Sequence, residues 1–222
     1  MRDTTVQAIL DRKLVAILRG VPSSYVLEVA AALHAGGISL IEVTFDQSNP
    51  GTWQDTAQSI LAISQQWGME VLVGAGTVLT MEQLHLAREA NARYIISPNA
   101  DPKIIRQTRE WGLVSIPGCM TATECVLANE AGADFMKLFP AGTLGLGYLK
   151  ALRGPLNHLR WIAVGGVNTG NAADFLRAGC SAVAIGSGLF ELEWILEGAW
   201  VRITERAQAL RDNVSSKTTA AG

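Results

Sequence analysis

The stretch GADFMKLFPAG, residues 132–142, reads as a buried strand with one charged residue inside it. Phe135, Met136, Leu138 and Phe139 are strand-filling types, and Gly132 and Pro140 bracket them as breakers. An ammonium group in such a run is costly to bury. Lys137 either snorkels to water along its alkyl stem or sits where its surroundings lower its pKa.

Working outward from that run, seven more share its character: LVAIL (14–18), SLIEVTF (39–45), EVLVGA (70–75), RYIIS (93–97), LVSIP (113–117), RWIAV (160–164) and SAVAIG (181–186). Together with DFMKLF (134–139) they make eight candidate strands. Most are continuously apolar, as in a parallel sheet covered on both faces. Amphipathic segments lie between them and carry helix-capping chemistry. Ser23 and Ser24 open one, Thr80 another, and Thr121 or Thr123 a third, with glycine closing several. A βα cadence of this kind predicts an α/β chain, a (β/α)8 TIM barrel, with an extra helix over about 3–12 ahead of the first strand. A doubly wound open sheet is the alternative pattern. The last helix is expected near 193–211, so that residues 1–211 form a single barrel domain. The polar tail 212–222 is expected to be frayed or disordered.

Bulk composition narrows the function classes. With 49% hydrophobic and 17% charged residues, the chain is globular and not disordered. A net charge of −2 calls for neither nucleic acid nor an anionic membrane. No run of 18 uncharged apolar residues predicts a membrane span, and the charged N-terminus does not read as a signal peptide. Cys119, Cys125 and Cys180 are odd in number, without zinc or CxxC spacing, and read as reduced thiols of a cytoplasmic protein.

In a barrel, chemistry gathers at the C-terminal ends of the strands. Those ends carry Arg19, Glu42 with Thr44, Thr77, Ser97 with Pro98, PGCMT, Lys137, VGGVN and IGSG. Glu42 and Lys137 are the ionisable groups set inside apolar strands. Alternation puts Glu42 on the face of Thr44, and Lys137 on the face of Phe135 and Phe139. If both faces look inward, desolvation lowers the lysine pKa and raises that of the glutamate, giving an amine nucleophile and a proton-carrying carboxyl. A buried structural ion pair is the competing reading. Gly165, Gly166, Gly186 and Ser187 fall after the seventh and eighth runs, where barrels commonly bind phosphate. Tight turns that need glycine for steric reasons are the competing reading there. GAGTVL fails the dinucleotide fingerprint at Leu79, and Ile185 spoils a GxSxG reading around Ser187. His34, His85 and His158 lie apart from one another, so no metal is expected.

The blocks LVAILRG, GGISLIEVTF, VGAGTV, YIISPN, IPGCMTATE, MKLFPA, WIAVGGVN and AIGSGLF resemble, in order over about residues 10–192, those of the bacterial KDPG/KHG aldolase family. The resemblance implies a (β/α)8 barrel, a homotrimer, no metal or cofactor, and a class I pyruvate aldolase acting on a small phosphorylated keto acid. Lys137 resembles the Schiff-base lysine and Glu42 the acid/base carboxylate. Thr77 and Pro98 match residues beside the pyruvate carboxylate, Phe139 the aromatic wall, and Gly165, Gly166, Gly186 and Ser187 the phosphate turns. Asp46 stands where some relatives carry an arginine for the substrate carboxylate, and Arg19 in ILRG offers a positive charge instead, as in the phosphogalactonate branch. Val164 precedes the paired glycines where phosphogluconate members often have threonine. EVTF, in contrast, resembles the phosphogluconate branch. Cleavage of 2-dehydro-3-deoxy-6-phosphogluconate to pyruvate and glyceraldehyde 3-phosphate is therefore the expected activity, with 4-hydroxy-2-oxoglutarate a further substrate and the galactonate epimer the alternative. A phosphosugar isomerase or synthase, or a sugar-phosphate-binding barrel without catalysis, remains a rival on the same fold.

Overall fold

A short apolar run followed by a capped amphipathic segment has one economical way to hide both its faces: the strand joins a sheet and the helix lies over it. The computed structural model describes residues 1–219 and repeats this unit around a ring. In chain order the elements are α1 (Arg2–Arg12), β1 (Leu14–Leu18), α2 (Val26–Ala35), β2 (Leu40–Thr44), α3 (Trp53–Trp67), β3 (Leu72–Gly76), α4 (Met81–Glu89), β4 (Tyr94–Ile96), α5 (Pro102–Glu110), β5 (Val114–Ile116), β6 (Gly118–Cys119), α6 (Ala122–Ala131), β7 (Met136–Leu138), α7 (Ala141–Arg153), β8 (Trp161–Val164), α8 (Ala172–Arg177), β9 (Ala182–Ile185), α9 (Leu192–Leu196) and α10 (Trp200–Thr219).

All strand pairs are parallel, and β1 lies between β2 and β9. First and last strands are thus neighbours, which makes the sheet a barrel and sets aside the open-sheet alternative. The sheet has nine strands where eight were expected. The extra one comes after Pro117, which has no N–H to give: the fifth run ends there as β5, and Gly118–Cys119 just beyond it form β6. β5 pairs with β4 and β6 with β7, so one stretch of chain changes partner and closes the ring.

Side-chain alternation sorts the strands into two packed layers. Val15, Ile17, Leu40, Leu72, Tyr94, Ile96, Val114, Ile116, Phe135, Ile162, Val164, Ala182 and Ala184 fill the barrel interior, while the opposite face packs under the helices. Val6 and Ile9 of α1 join the interior set and plug the N-terminal end of the barrel. Two helix starts carry full capping boxes, Thr80 with Gln83 and Thr121 with Glu124. Ser23 and Ser24 lie in a 3-10 turn with no side-chain cap, contrary to their expected role.

The C-terminus departs from expectation. The helix expected near 193–211 is two helices, α9 and α10, separated at Gly198. The segment expected to fray from 212 continues as helix through Thr219; the remaining residues, 220–222, lie outside those described. Spacing explains the continuation. Ile203, Ala207, Leu210 and Val214 form one buried stripe at helical period, so the last of them anchors a turn whose other residues are polar.

Candidate active site

Strand parity sets both ionisable groups inward. Glu42 in β2 lies beside Ile17 and Gly74, and Lys137 in β7 beside Gly118 and Ile162. Both are buried, at 1% and 5% exposure, so Lys137 does not reach bulk water. Its Nζ lies 4.8 Å from the centroid of the Phe139 ring. Burial holds the Lys137 amine below its ordinary value, with Glu42 opposing and Arg19 assisting. Burial likewise pushes the Glu42 carboxyl above its ordinary value, against the pull of Lys137 and Arg19. Glu42 Oε2 has no hydrogen-bond partner among the described residues. A buried carboxylate oxygen without a partner is unusual, and is suited to meeting a ligand's proton.

These two groups open onto a cavity of about 400 Å³ at the C-terminal end of the strands. Every candidate read from the sequence lines it: Arg19 past β1, Glu42, Thr77 past β3, Pro98 past β4, Lys137 and Phe139, Val164, Gly165 and Gly166 at the end of β8, and Gly186 and Ser187 past β9. Ile17, Val167 and Ala184 complete the wall and were not singled out from sequence. Two of them were legible by alternation, since Ile17 and Ala184 stand two residues before Arg19 and Gly186.

One side of the cavity carries a cation and a hydroxyl. Arg19 Nη2 donates to Thr77 Oγ1 at 3.4 Å. Asp46 does not line the cavity. Its Oδ1 accepts from the Ser48 amide and hydroxyl at 2.9 and 2.7 Å, and these bonds lower its pKa. Asp46 thus builds a turn.

The other side is made by the glycine turns. Gly166 has φ of 73°, and a Cβ on it would stand 3.0 Å from Gly142 Cα, so backbone and backbone meet there without side chains. Gly142 N–H donates to the Gly165 carbonyl at 2.7 Å. The following helices start only at Ala172 and Leu192, so donors at this end belong to the turns themselves and not to adjoining helix starts.

A family model described as KDPG and KHG aldolase matches residues 6–206, nearly the whole barrel. The chain belongs to the KDPG/KHG aldolase family. Within that aldolase family it is 35% identical over 202 residues to the 2-dehydro-3-deoxy-6-phosphogalactonate aldolase of Escherichia coli, covering 90% of this chain and 96% of that one. The solved structure described as "Native KDPGal structure" superposes with a TM-score of 0.83 at 34% identity, over 93% of this chain and 96% of the other. KDPG aldolase from Legionella pneumophila, solved with pyruvate captured as a covalent carbinolamine, superposes with a TM-score of 0.82 at 27% identity, over 92% and 97%. Among the described residues no helix is long and apolar enough to cross a membrane.

Proposed function

We propose that the chain is a class I aldolase that cleaves a 2-dehydro-3-deoxy-6-phospho sugar acid through an imine on Lys137. The observation that carries this reading is the buried amine and buried carboxyl facing one cavity, with burial moving their pKa values in opposite directions. The neutral amine of Lys137 adds to the C2 ketone, and loss of water gives a protonated imine. Glu42, directly or through a water, takes the proton of the C4 hydroxyl. The C3–C4 bond breaks, its electron pair passes to the imine as an enamine, and glyceraldehyde 3-phosphate leaves. Glu42 returns the proton to C3, and hydrolysis of the imine frees pyruvate. The imine is the electron sink, so the chemistry calls for no metal or organic cofactor. Arg19 and Thr77 hold the substrate carboxylate, with Pro98 and Phe139 walling the pyruvate end. Backbone N–H groups around Gly165, Gly166, Gly186 and Ser187, together with the Ser187 hydroxyl, hold the phosphate and fix the reacting atoms.

The C4 epimer is the finer question. The reading from sequence put the phosphogluconate first. Val164 offers an apolar surface and no hydroxyl at the end of β8, Arg19 is the cation lining the carboxylate side, and over a like share of the chain the phosphogalactonate aldolase of Escherichia coli is 35% identical where the phosphogluconate aldolase of Haemophilus influenzae is 28%. These observations favour the galactonate epimer, with the gluconate epimer and 4-hydroxy-2-oxoglutarate as second substrates. The resemblance-based expectations of a homotrimer and a cytoplasmic location belong to the same proposal, and sedimentation tests the first.

Borohydride reduction in the presence of pyruvate tests the central step. Wild-type chain gains a covalent pyruvate adduct and Lys137→Ala does not; labelling of that variant at the wild-type level refutes the assignment. A lactate-dehydrogenase-coupled assay on both C4 epimers ranks the substrates.

A further inference from the structure

We propose that Gln47 and Gln83 are positioning residues, two side-chain amides in series that hold Thr77 in the shape needed at the carboxylate end of the cavity. The task given to Thr77 rests on the aldolase reading above; the relay itself rests on geometry.

Thr77 is a β-branched residue with φ of 58°, in the left-handed region that such residues rarely adopt. Something has to hold it there. Its carbonyl accepts a hydrogen bond from Gln47 Nε2 at 2.8 Å. Gln47 Oε1 accepts from Gln83 Nε2 at 3.0 Å. Gln83 Oε1 accepts from the backbone N–H groups of Leu79 and Thr80 at 2.7 and 3.2 Å. The direction of this chain is fixed from both ends. A carbonyl at one end only accepts, and two N–H groups at the other only donate, so each amide has one workable orientation.

Both amides are themselves held. Gln83 is fully buried and belongs to the capping box of α4, its own N–H donating to Thr80 Oγ1 at 3.2 Å. Gln47 is exposed, but the turn that presents it is tied twice, by Asp46 with Ser48 and by Trp53 Nε1 donating to the Asp46 carbonyl at 2.8 Å. The start of α4 and the turn after β2 thus converge on the residue whose hydroxyl faces Arg19 in the cavity. Losing one link frees the Thr77 carbonyl and lets the residue relax out of its unfavourable φ, moving the hydroxyl away from the substrate carboxylate.

The test uses borohydride trapping on the full chain, read as the pyruvate concentration for half-maximal labelling, with melting temperature alongside. Gln83→Glu keeps the acceptor for Leu79 and Thr80 and loses the donor to Gln47. Gln47→Glu keeps the acceptor for Gln83 and loses the donor to Thr77. Each is expected to raise the half-saturating concentration about tenfold, the effect of one lost hydrogen bond, with plateau labelling near wild type; the buried carboxyl of Gln83→Glu is expected to lower its melting temperature, and the double variant below to recover it. Combining Gln47→Lys with Gln83→Glu rebuilds both links, the first with its direction reversed, because the lysine donates both to the carboxylate and to the Thr77 carbonyl; it is expected to restore the wild-type concentration. Unchanged half-saturation in both single variants, with wild type labelled, overturns the relay alone. A melting drop with no recovery in the double variant marks a structural pair and overturns it too. Failure to label wild type overturns the aldolase reading, and the positioning role falls with it.

Discussion

Alanine at Gly76 probes the proton-carrying role of Glu42 without substituting either reacting residue. Gly76 closes β3, pairs with Thr44 and Ile96, and has no positive φ, so its backbone accepts a side chain. The obstacle is the carboxyl opposite. A Cβ would stand 1.8 Å from Glu42 Oε1 and 2.5 Å from its Cδ. Ordinary contact begins at 3.4 Å, so the shortfall, 3.4 Å less 1.8 Å, is roughly 1.6 Å and has to be met by withdrawal of the carboxyl. A misplacement on the order of 1 Å costs about 10²-fold in rate, while overpacking of this kind destabilises by about 1–3 kcal/mol. Two assays separate the steps. Pyruvate release, coupled to lactate dehydrogenase, is expected to fall about 100-fold. Trapping of added pyruvate by borohydride, which needs the Lys137 amine, is expected to persist. A folded Gly76→Ala chain that cleaves within about twofold of wild type refutes the placement of Glu42 at the reacting atoms. Equal loss in both assays shows instead that the whole cavity has collapsed.

Glu42→Gln tests the electrostatics. Burial raises the native carboxyl above its ordinary 4.5, so the native state keeps a proton that the unfolded chain has released, and wild-type stability declines as pH rises from 4.5 through the native pKa. Glutamine does not titrate, so the melting temperature of the variant climbs relative to wild type across that window; a difference independent of pH contradicts the burial argument. Turnover of the same variant is expected to drop strongly while some imine still forms. Ser187→Ala is expected to raise KM for phosphorylated substrates about tenfold and to leave 4-hydroxy-2-oxoglutarate nearly untouched, whereas equal loss on both removes the phosphate contact. Val164→Thr is expected to move the ratio of kcat/KM towards the gluconate epimer by about tenfold, read from paired progress curves; an unmoved ratio assigns epimer choice to other residues.

The barrel was legible because most strands are dense apolar runs and two helices announce their start with threonine chemistry, at Thr80 and Thr121. Pro117 was visible too, at the end of LVSIP. Its effect, the change of partner from β4 to β7, depends on how the ring closes and leaves no periodic trace. The C-terminal helix was cut short because the stretch after Asp212 is polar; the one signal against that was Val214, four residues beyond Leu210. At the cavity, Lys137 and Glu42 stood out since charge inside an apolar run is rare. Gln47 and Gln83 gave no such sign, because an uncharged amide in a loop or a first helical turn is ordinary until its partner, distant in sequence, is seen.

The plug formed by Val6 and Ile9 has a kinetic consequence. It closes the end of the barrel opposite the cavity, so on the proposed imine route water, aldehyde and keto acid all pass on the side where the strands end, where Phe139 stays 40% exposed. The aldehyde goes first because the three-carbon remainder is still tethered to the amine, and the closed floor leaves both departures the same way out.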